Sequence, residues 1–134
     1  MTPTQERIVS EITTALPGIE AVYLFGSADT PEQRAGSDID LAFLSWLPVD
    51  AVRRWEFAQH LASRLGRDVD LVDLREASAV MRAQVVAHGR RLYCADEPAC
   101  ERFEDYVFSA YARLNESRRD ILGQITREGR IHGG

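Results

Sequence analysis

The sequence predicts an α+β (α/β) fold, a small mixed β-sheet with flanking helices and a long C-terminal helix. Short aliphatic runs alternate with segments of helical periodicity, and glycine or proline separates most of them. Such alternation of strands and helices is typical of a sheet covered by helices. The 134 residues suffice for one domain with a substantial core, which we expect over residues 1–134.

The first third of the chain predicts a helix and two strands. Residues 6–16 place apolar side chains at helical spacing, and Pro17-Gly18 stops this helix. Residues 19–25 form an aliphatic run that ends at Gly26, and residues 38–44 form a second such run. The polar segment between the two strands is expected to be a loop.

The middle of the chain predicts a helix and then a strand. Asp50 is a typical N-cap, residues 50–65 carry an apolar stripe that includes Trp55, and Gly66 ends the helix. Residues 68–74 alternate aspartate with aliphatic residues, which is the pattern of a strand with two different faces.

A helix, a short strand and a long helix complete the chain. We expect the helix over residues 77–88, the strand over residues 91–94 and the last helix over about 98–128. Apolar residues of this C-terminal tail form one continuous face, namely Phe103, Val107, Ala110, Leu114, Ile121 and Ile125. We expect its first half to pack on the domain and its second half to meet a partner, and packing of the whole helix on its own domain is the alternative.

The composition excludes several kinds of function. With a formal net charge of -5, no direct nucleic-acid contact is expected. No apolar run approaches the roughly 20 residues of a membrane span, so no membrane contact is expected either. All 16 basic residues are arginine, which excludes a Schiff-base lysine and a P-loop lysine. Cys94 and Cys100 match no zinc site and make a poor disulfide framework, so we expect reduced thiols and a cytoplasmic protein.

Two aspartates one residue apart are the most informative feature. On a strand, Asp38 and Asp40 point to one face while Ile39 and Leu41 point to the other. Adjacent carboxylates repel each other, and a divalent cation between them is the usual resolution. Asp70 on the later strand is the best third ligand, because an adjacent strand would bring it close to the pair.

The strand of Asp70 also carries Asp73, whose side chain has the opposite parity and should face away from the site.

Three carboxylates suit a nucleotidyl transfer that uses two Mg²⁺ about 3.5–4 Å apart. In such a site Asp70 also accepts the proton of the attacking hydroxyl. Gly26 would let the backbone approach the phosphates, and Ser27 offers a hydroxyl and a backbone N–H.

The simpler explanation of an Asp-x-Asp doublet is a solvated surface pair. A calcium loop is excluded because the glycine and glutamate of that loop are absent at the required spacing. Alternation of aspartate with aliphatic residues on two separate strands favours a site, since it places the charges on a sheet face.

Gly26-Ser27, ten residues and then Asp38-Ile39-Asp40 resemble the signature of the minimal nucleotidyltransferases of the DNA polymerase β superfamily. Val69-Asp70-Leu71 resembles their third carboxylate strand. The chain is most similar to the MntA-like group, the antitoxins of HepT–MntA (type VII) toxin–antitoxin systems. This resemblance covers nearly the whole chain, including residues 89–93 and the tail from about residue 103.

The resemblance implies the nucleotidyltransferase fold and an Mg²⁺-dependent protein adenylyltransferase. Such an enzyme transfers AMP from ATP to a tyrosine of a cognate HEPN-type (HepT-like) ribonuclease toxin, which it silences within a hetero-oligomer. The resemblance gives metal-ligand roles to Asp38, Asp40 and Asp70, and phosphate contacts to Gly26 and Ser27.

One departure from the family concerns the loop after the Gly-Ser pair. Relatives often carry an arginine there, whereas Ala28-Asp29-Thr30 follows here. Arg34 is expected to bind a phosphate instead, and a solvated side chain is the alternative.

Two other functions remain open. One is nucleotidyl transfer to a small molecule such as an antibiotic, for which the short chain leaves little room. The other is a non-catalytic antitoxin that acts by direct binding.

Overall fold

The computed structural model describes the backbone of residues 1–26 and 38–133, with side chains through residue 120. The elements in chain order are α1 (Pro3–Ala15), β1 (Ile19–Phe25), β2 (Ile39–Ser45), α2 (Ala51–Leu65), β3 (Val69–Asp73), α3 (Ala79–His88), β4 (Arg90–Cys94) and α4 (Glu97–Gly133). In this part of the chain a four-stranded mixed sheet has the order β3-β2-β1-β4. Strand β1 is antiparallel to β2 and to β4, and β2 is parallel to β3. The predicted α+β class is confirmed.

Helices cover both faces of the sheet. Helices α1 and α2 enclose one core, in which Ile12 and Leu61 meet Leu41 and Phe43 of the central strand β2. Helix α1 contacts β1 and β4, whereas α2 contacts β3. On the opposite face, α3 and the start of α4 enclose a second core around the fully buried Tyr23. The two faces of the sheet therefore carry separate cores.

Helix α1 begins three residues before its predicted start. The Thr2 hydroxyl accepts a hydrogen bond from the Gln5 backbone N–H, while the Gln5 side chain accepts one from the Thr2 backbone N–H. This capping box satisfies two N-terminal donors, and Pro3 at the first helical position has no N–H to satisfy. The cap lies ahead of the apolar repeat, so the repeat alone misses it.

The predicted apolar stripe of α2 is wrong at Trp55. This side chain is 63% exposed, and the helix buries Phe57 and Leu61 together with Ala58, which the predicted stripe did contain. The predicted stripe and the residues that are buried both recur at helical spacing. Periodicity alone therefore did not decide which side of the helix faces the sheet. Trp46, directly after β2, is 65% exposed as well.

Helix α4 is held on the sheet through its first three turns. Cys100 and Val107 are buried, and Phe103 packs against the second core. The helix has 37 residues and thus a length of about 55 Å, so most of it extends past these contacts. None of the helices, within the residues that the structure describes, is long and apolar enough to cross a membrane.

Candidate active site

The strand register brings two of the predicted carboxylates side by side. Asp40 on β2 and Asp70 on β3 are partners in the parallel ladder, where neighbouring strands lie about 4.8 Å apart. The Ile39 N–H donates to the Asp68 carbonyl at 2.8 Å, which fixes this register at the first residues of both strands. Asp38 immediately precedes β2 at the same end of the sheet.

The carboxylates occupy a part of the sheet face that α3 and α4 leave open. Along β2, Asp40 is followed on the same face by Ala42 and Leu44, which are buried in the second core. Asp40 itself is half-buried, while Asp38 and Asp70 are exposed. A ligand can therefore reach the three carboxylates from solvent.

The electrostatics of Asp40 show that the three carboxylates interact. Its pKa lies above the usual range, first because of burial and then because of the negative charges of Asp70 and Asp38. Each of these effects disfavours the charged form of Asp40. A nearby cation would reverse the two charge effects, so the cluster is suited to binding one.

Gly26 lies directly against Asp40. Its φ angle is +80°, a conformation that favours glycine. A Cβ atom on Gly26 would lie 2.2 Å from Oδ2 of Asp40, a distance that no side chain tolerates. The sequence predicted a close approach of the backbone to phosphates here; the structure shows a close approach to a carboxylate.

The three aspartates fit a magnesium ion in number and chemistry. Carboxylate oxygens are the ligands that Mg²⁺ prefers. In the orientations of the described side chains, no three acidic, histidine or cysteine groups converge on one point. Asp38 and Asp70 are exposed, so their side chains have room to turn toward Asp40 by a change of rotamer.

Asp73 lies on the other side of the sheet from Asp70, in agreement with strand parity. It is only 4% exposed. Its Oδ1 accepts a hydrogen bond from the Arg75 N–H at 2.9 Å, and its carbonyl accepts from Glu76 and Ala77. Asp73 therefore organises the turn after β3. Ser27 and Arg34, the other two predicted site residues, lie outside the described residues.

Two cavities lie beside α2, of which one reaches Asp38 and the other none of the three carboxylates, and the sequence predicted neither. The first has a volume of about 460 Å³ and is lined by Asp38, Asp68, Gln59, Ser63 and Arg67 together with small residues of α2. The second has a volume of about 300 Å³ and is lined by Arg7, Arg64 and Arg67, among others. No local motif indicates them, because their walls come from α1, α2 and the start of two strands.

Comparison with known proteins agrees with this geometry. Residues 7–98 match the family model described as polymerase beta, nucleotidyltransferase. The chain belongs to this nucleotidyltransferase family. It is also 39% identical over 121 residues to the protein adenylyltransferase MntA of Shewanella oneidensis, which covers 90% of this chain and 86% of that protein.

Solved structures of toxin–antitoxin complexes show the same fold. One complex with AMP-PNP contains a chain that is 38% identical, with a TM-score of 0.80 over 91% of this chain and 98% of that one. Another is a tri-AMPylated Shewanella oneidensis HEPN toxin in complex with an MNT antitoxin. There the match is 36% identical, with a TM-score of 0.77 over 92% of this chain and 96% of that one. The predicted resemblance to MntA-like nucleotidyltransferases is confirmed.

Proposed function

We propose that this protein is an Mg²⁺-dependent adenylyltransferase that transfers AMP from ATP to a tyrosine of a HEPN-type toxin and thereby neutralises it. The observation that carries the proposal is the register of Asp40 with Asp70 beside Asp38 and Gly26. The similarity to a protein adenylyltransferase over 90% of the chain supports the same activity.

The three carboxylates and the loop after β1 have different roles in the transfer. Asp38, Asp40 and Asp70 would hold two Mg²⁺, which would supply positive charge to the triphosphate and acidify the attacking hydroxyl. Asp70 lies on the outer strand β3 and accepts the tyrosine proton. Gly26 and Ser27 bind the phosphates, and Arg34 adds a positive charge to them.

The reaction is an in-line substitution at phosphorus. The tyrosine oxygen forms a bond to the α-phosphorus of ATP, and the bond from that phosphorus to the bridging oxygen breaks. Pyrophosphate leaves with the electron pair, and the hydroxyl proton passes to Asp70. The open end of the sheet at Asp38 and Asp70 supports this role, because a protein substrate needs access to the site.

The toxin partner binds to this protein on α4. In a hetero-oligomer with the toxin, exposed residues in the described part of α4 contact the partner. Tyr106 and Phe108 on this helix are about half exposed, and both are large enough to bury apolar surface against the toxin. A cytoplasmic location follows from the use of ATP.

Labelled ATP tests the function directly. The protein is incubated with Mg²⁺, ATP labelled at the α-phosphate and the HEPN-type protein encoded beside it. The expected result is label on a tyrosine of the partner, which Asp38→Asn abolishes and a chelator prevents.

Other outcomes would favour other functions. Inhibition of the partner without any label would support a binding antitoxin. Label on a small hydroxyl compound and never on the partner would support a small-molecule nucleotidyltransferase.

A further inference from the structure

The two cysteines lie together where α4 begins. Cys94 is the last residue of β4, and Cys100 is in the first turns of α4. Cys100 is buried in the second core, and Cys94 packs against the same core. The Glu20 carbonyl accepts a hydrogen bond from the Ala95 N–H at 2.8 Å and one from the Cys100 thiol at 3.7 Å. The fold therefore brings the Cys100 sulfur to the residue that follows Cys94.

Both cysteines are free thiols, as the sequence predicted, and they interact with each other. Burial raises the pKa of the Cys100 thiol to about 12, and Cys94 raises it further as a hydrogen-bond partner and through its charge. A hydrogen bond acts only over a short distance. The two sulfur atoms are therefore neighbours, although they belong to different elements.

The surroundings of the two thiols differ in a way that gives them different reactivity. Cys94 is half-buried and reaches solvent, whereas Cys100 is only 1% exposed. The pKa of Arg91 is raised first by its hydrogen bond to Glu97 and, to a smaller extent, by the negative charge of Cys94. A guanidinium beside a partly exposed thiol favours the reactive thiolate. An oxidant from solvent therefore meets Cys94 first, with Cys100 behind it.

The cysteines and the carboxylates lie at opposite ends of β1. Cys94 is the partner of Ala21 in the antiparallel ladder, whereas Asp40 is the partner of Phe25. Four residues of a strand span about 13 Å. A change at the cysteines therefore acts on the attachment of α4 to the sheet and not on the candidate active site.

We propose that Cys94 and Cys100 are a peroxide-sensitive pair that closes into a reversible disulfide between β4 and α4. The Cys94 thiolate attacks one oxygen of hydrogen peroxide, the O–O bond breaks, and hydroxide leaves and takes up the proton that Cys94 lost. The product is a sulfenic acid on Cys94. The Cys100 sulfur displaces the sulfenic oxygen, which leaves as water with the Cys100 proton. Two thiols are thus oxidised while one peroxide is reduced to two waters, and an external dithiol reverses the bond by exchange.

Intact mass without reductant tests the proposal. The full-length protein is exposed to hydrogen peroxide, denatured and alkylated with iodoacetamide. We expect wild type to lose the mass of two hydrogen atoms, to remain a single chain and to take up no alkyl group, and dithiothreitol should restore both thiols. Cys100→Ser should stop at a sulfenic acid on Cys94 that dimedone traps. Cys94→Ser, which changes a half-buried side chain, should keep Cys100 as a free thiol under the same exposure.

Thermal unfolding adds a readout that mass does not provide. The bond closes a short loop between β4 and α4, so the oxidised wild type should have a Tm about 5–10 °C above that of the reduced protein. Wild type that gains oxygen on Cys94 while Cys100 remains open to alkylation would overturn the proposal. So would disulfide-linked pairs of chains, the absence of any oxidation, or a lower Tm for the oxidised protein.

Discussion

Two groups of polar residues on the α3/α4 face of the sheet use charge in opposite ways. In the first, Asp38, Asp40 and Asp70 place negative charges together, and the pKa of Asp40 rises in response. In the second, the Tyr23 hydroxyl donates to Glu104 at 2.7 Å, and Arg91 pairs with both Glu104 and Glu97.

The difference separates a site from a structural support. In the second group each charge has an opposite partner, and the guanidinium holds the pKa of Glu97 below its usual range. This group ties α4 to β1 and β4. The first group is destabilising by itself, because all the effects that shift the pKa of Asp40 raise it. Such unrelieved repulsion is characteristic of a site that acts on a ligand.

The largest expected effect is the loss of transfer when a carboxylate of the first group is neutralised. Asp40→Asn should lower kcat for AMP transfer about a thousandfold or more, because the variant loses a central charge of the site. Initial rates with labelled ATP measure this. Asp50→Asn is the matched control, since asparagine caps a helix as well as aspartate does. Equal losses in both variants would refute the assignment.

A second prediction concerns the contact between Gly26 and Asp40. Gly26→Ala should lower kcat at least tenfold, because the added methyl group displaces the Asp40 carboxylate. Gly18→Ala imposes a similar strain at a φ of +85° but meets Leu47 instead, so it should cost about 1 kcal/mol of stability without loss of transfer. Normal kinetics in folded Gly26→Ala would show that the contact has no catalytic role.

In the second group, the removal of one hydroxyl should affect stability alone. Tyr23→Phe loses the hydrogen bond to Glu104, which costs about 1 kcal/mol and lowers the Tm by about 4 °C. Transfer should be unchanged. Tyr93→Phe on β4, whose hydroxyl has no such partner among the described residues, is the control for thermal unfolding. A loss of transfer in Tyr23→Phe would mean that the two groups are coupled.

The smallest effect is a gain of stability from relief of repulsion in the first group. Without metal at pH 7, Asp40→Asn should be more stable than wild type by a few tenths to about 1 kcal/mol. The raised pKa means that the folded wild type recovers this stability as the pH falls, so the difference should vanish below about pH 4. Thermal unfolding with a chelator at both pH values measures it. A lower Tm for the variant at pH 7 would show that the three carboxylates do not destabilise the fold.

Sequence reasoning succeeded where local chemistry decides the outcome. The bounds of β1 agree with its aliphatic run, and Asp50 and Gly66 begin and end α2 as predicted. Strand parity correctly separated Asp70 from Asp73, because the alternation of side chains is a property of any strand.

The sequence did not predict features that depend on contacts between distant parts of the chain. Periodicity did not show that Trp55 faces solvent, since the choice depends on what the sheet offers the helix. Arg7 and Arg64 come from different helices, so only the packing of α1 beside α2 reveals that they line one cavity. The parallel register of Asp40 with Asp70 is likewise fixed by the sheet and not by either strand alone.

The intact mass of the partner after incubation with ATP and Mg²⁺ shows directly whether the site lies on the Asp70 face of β3. Asp70→Asn and Asp73→Asn change the same chemical group on the two faces of β3. We expect wild type and Asp73→Asn to add AMP to a partner tyrosine, and Asp70→Asn to add none. Transfer by Asp70→Asn, together with its loss in a folded Asp73→Asn, would place the site on the other face of β3.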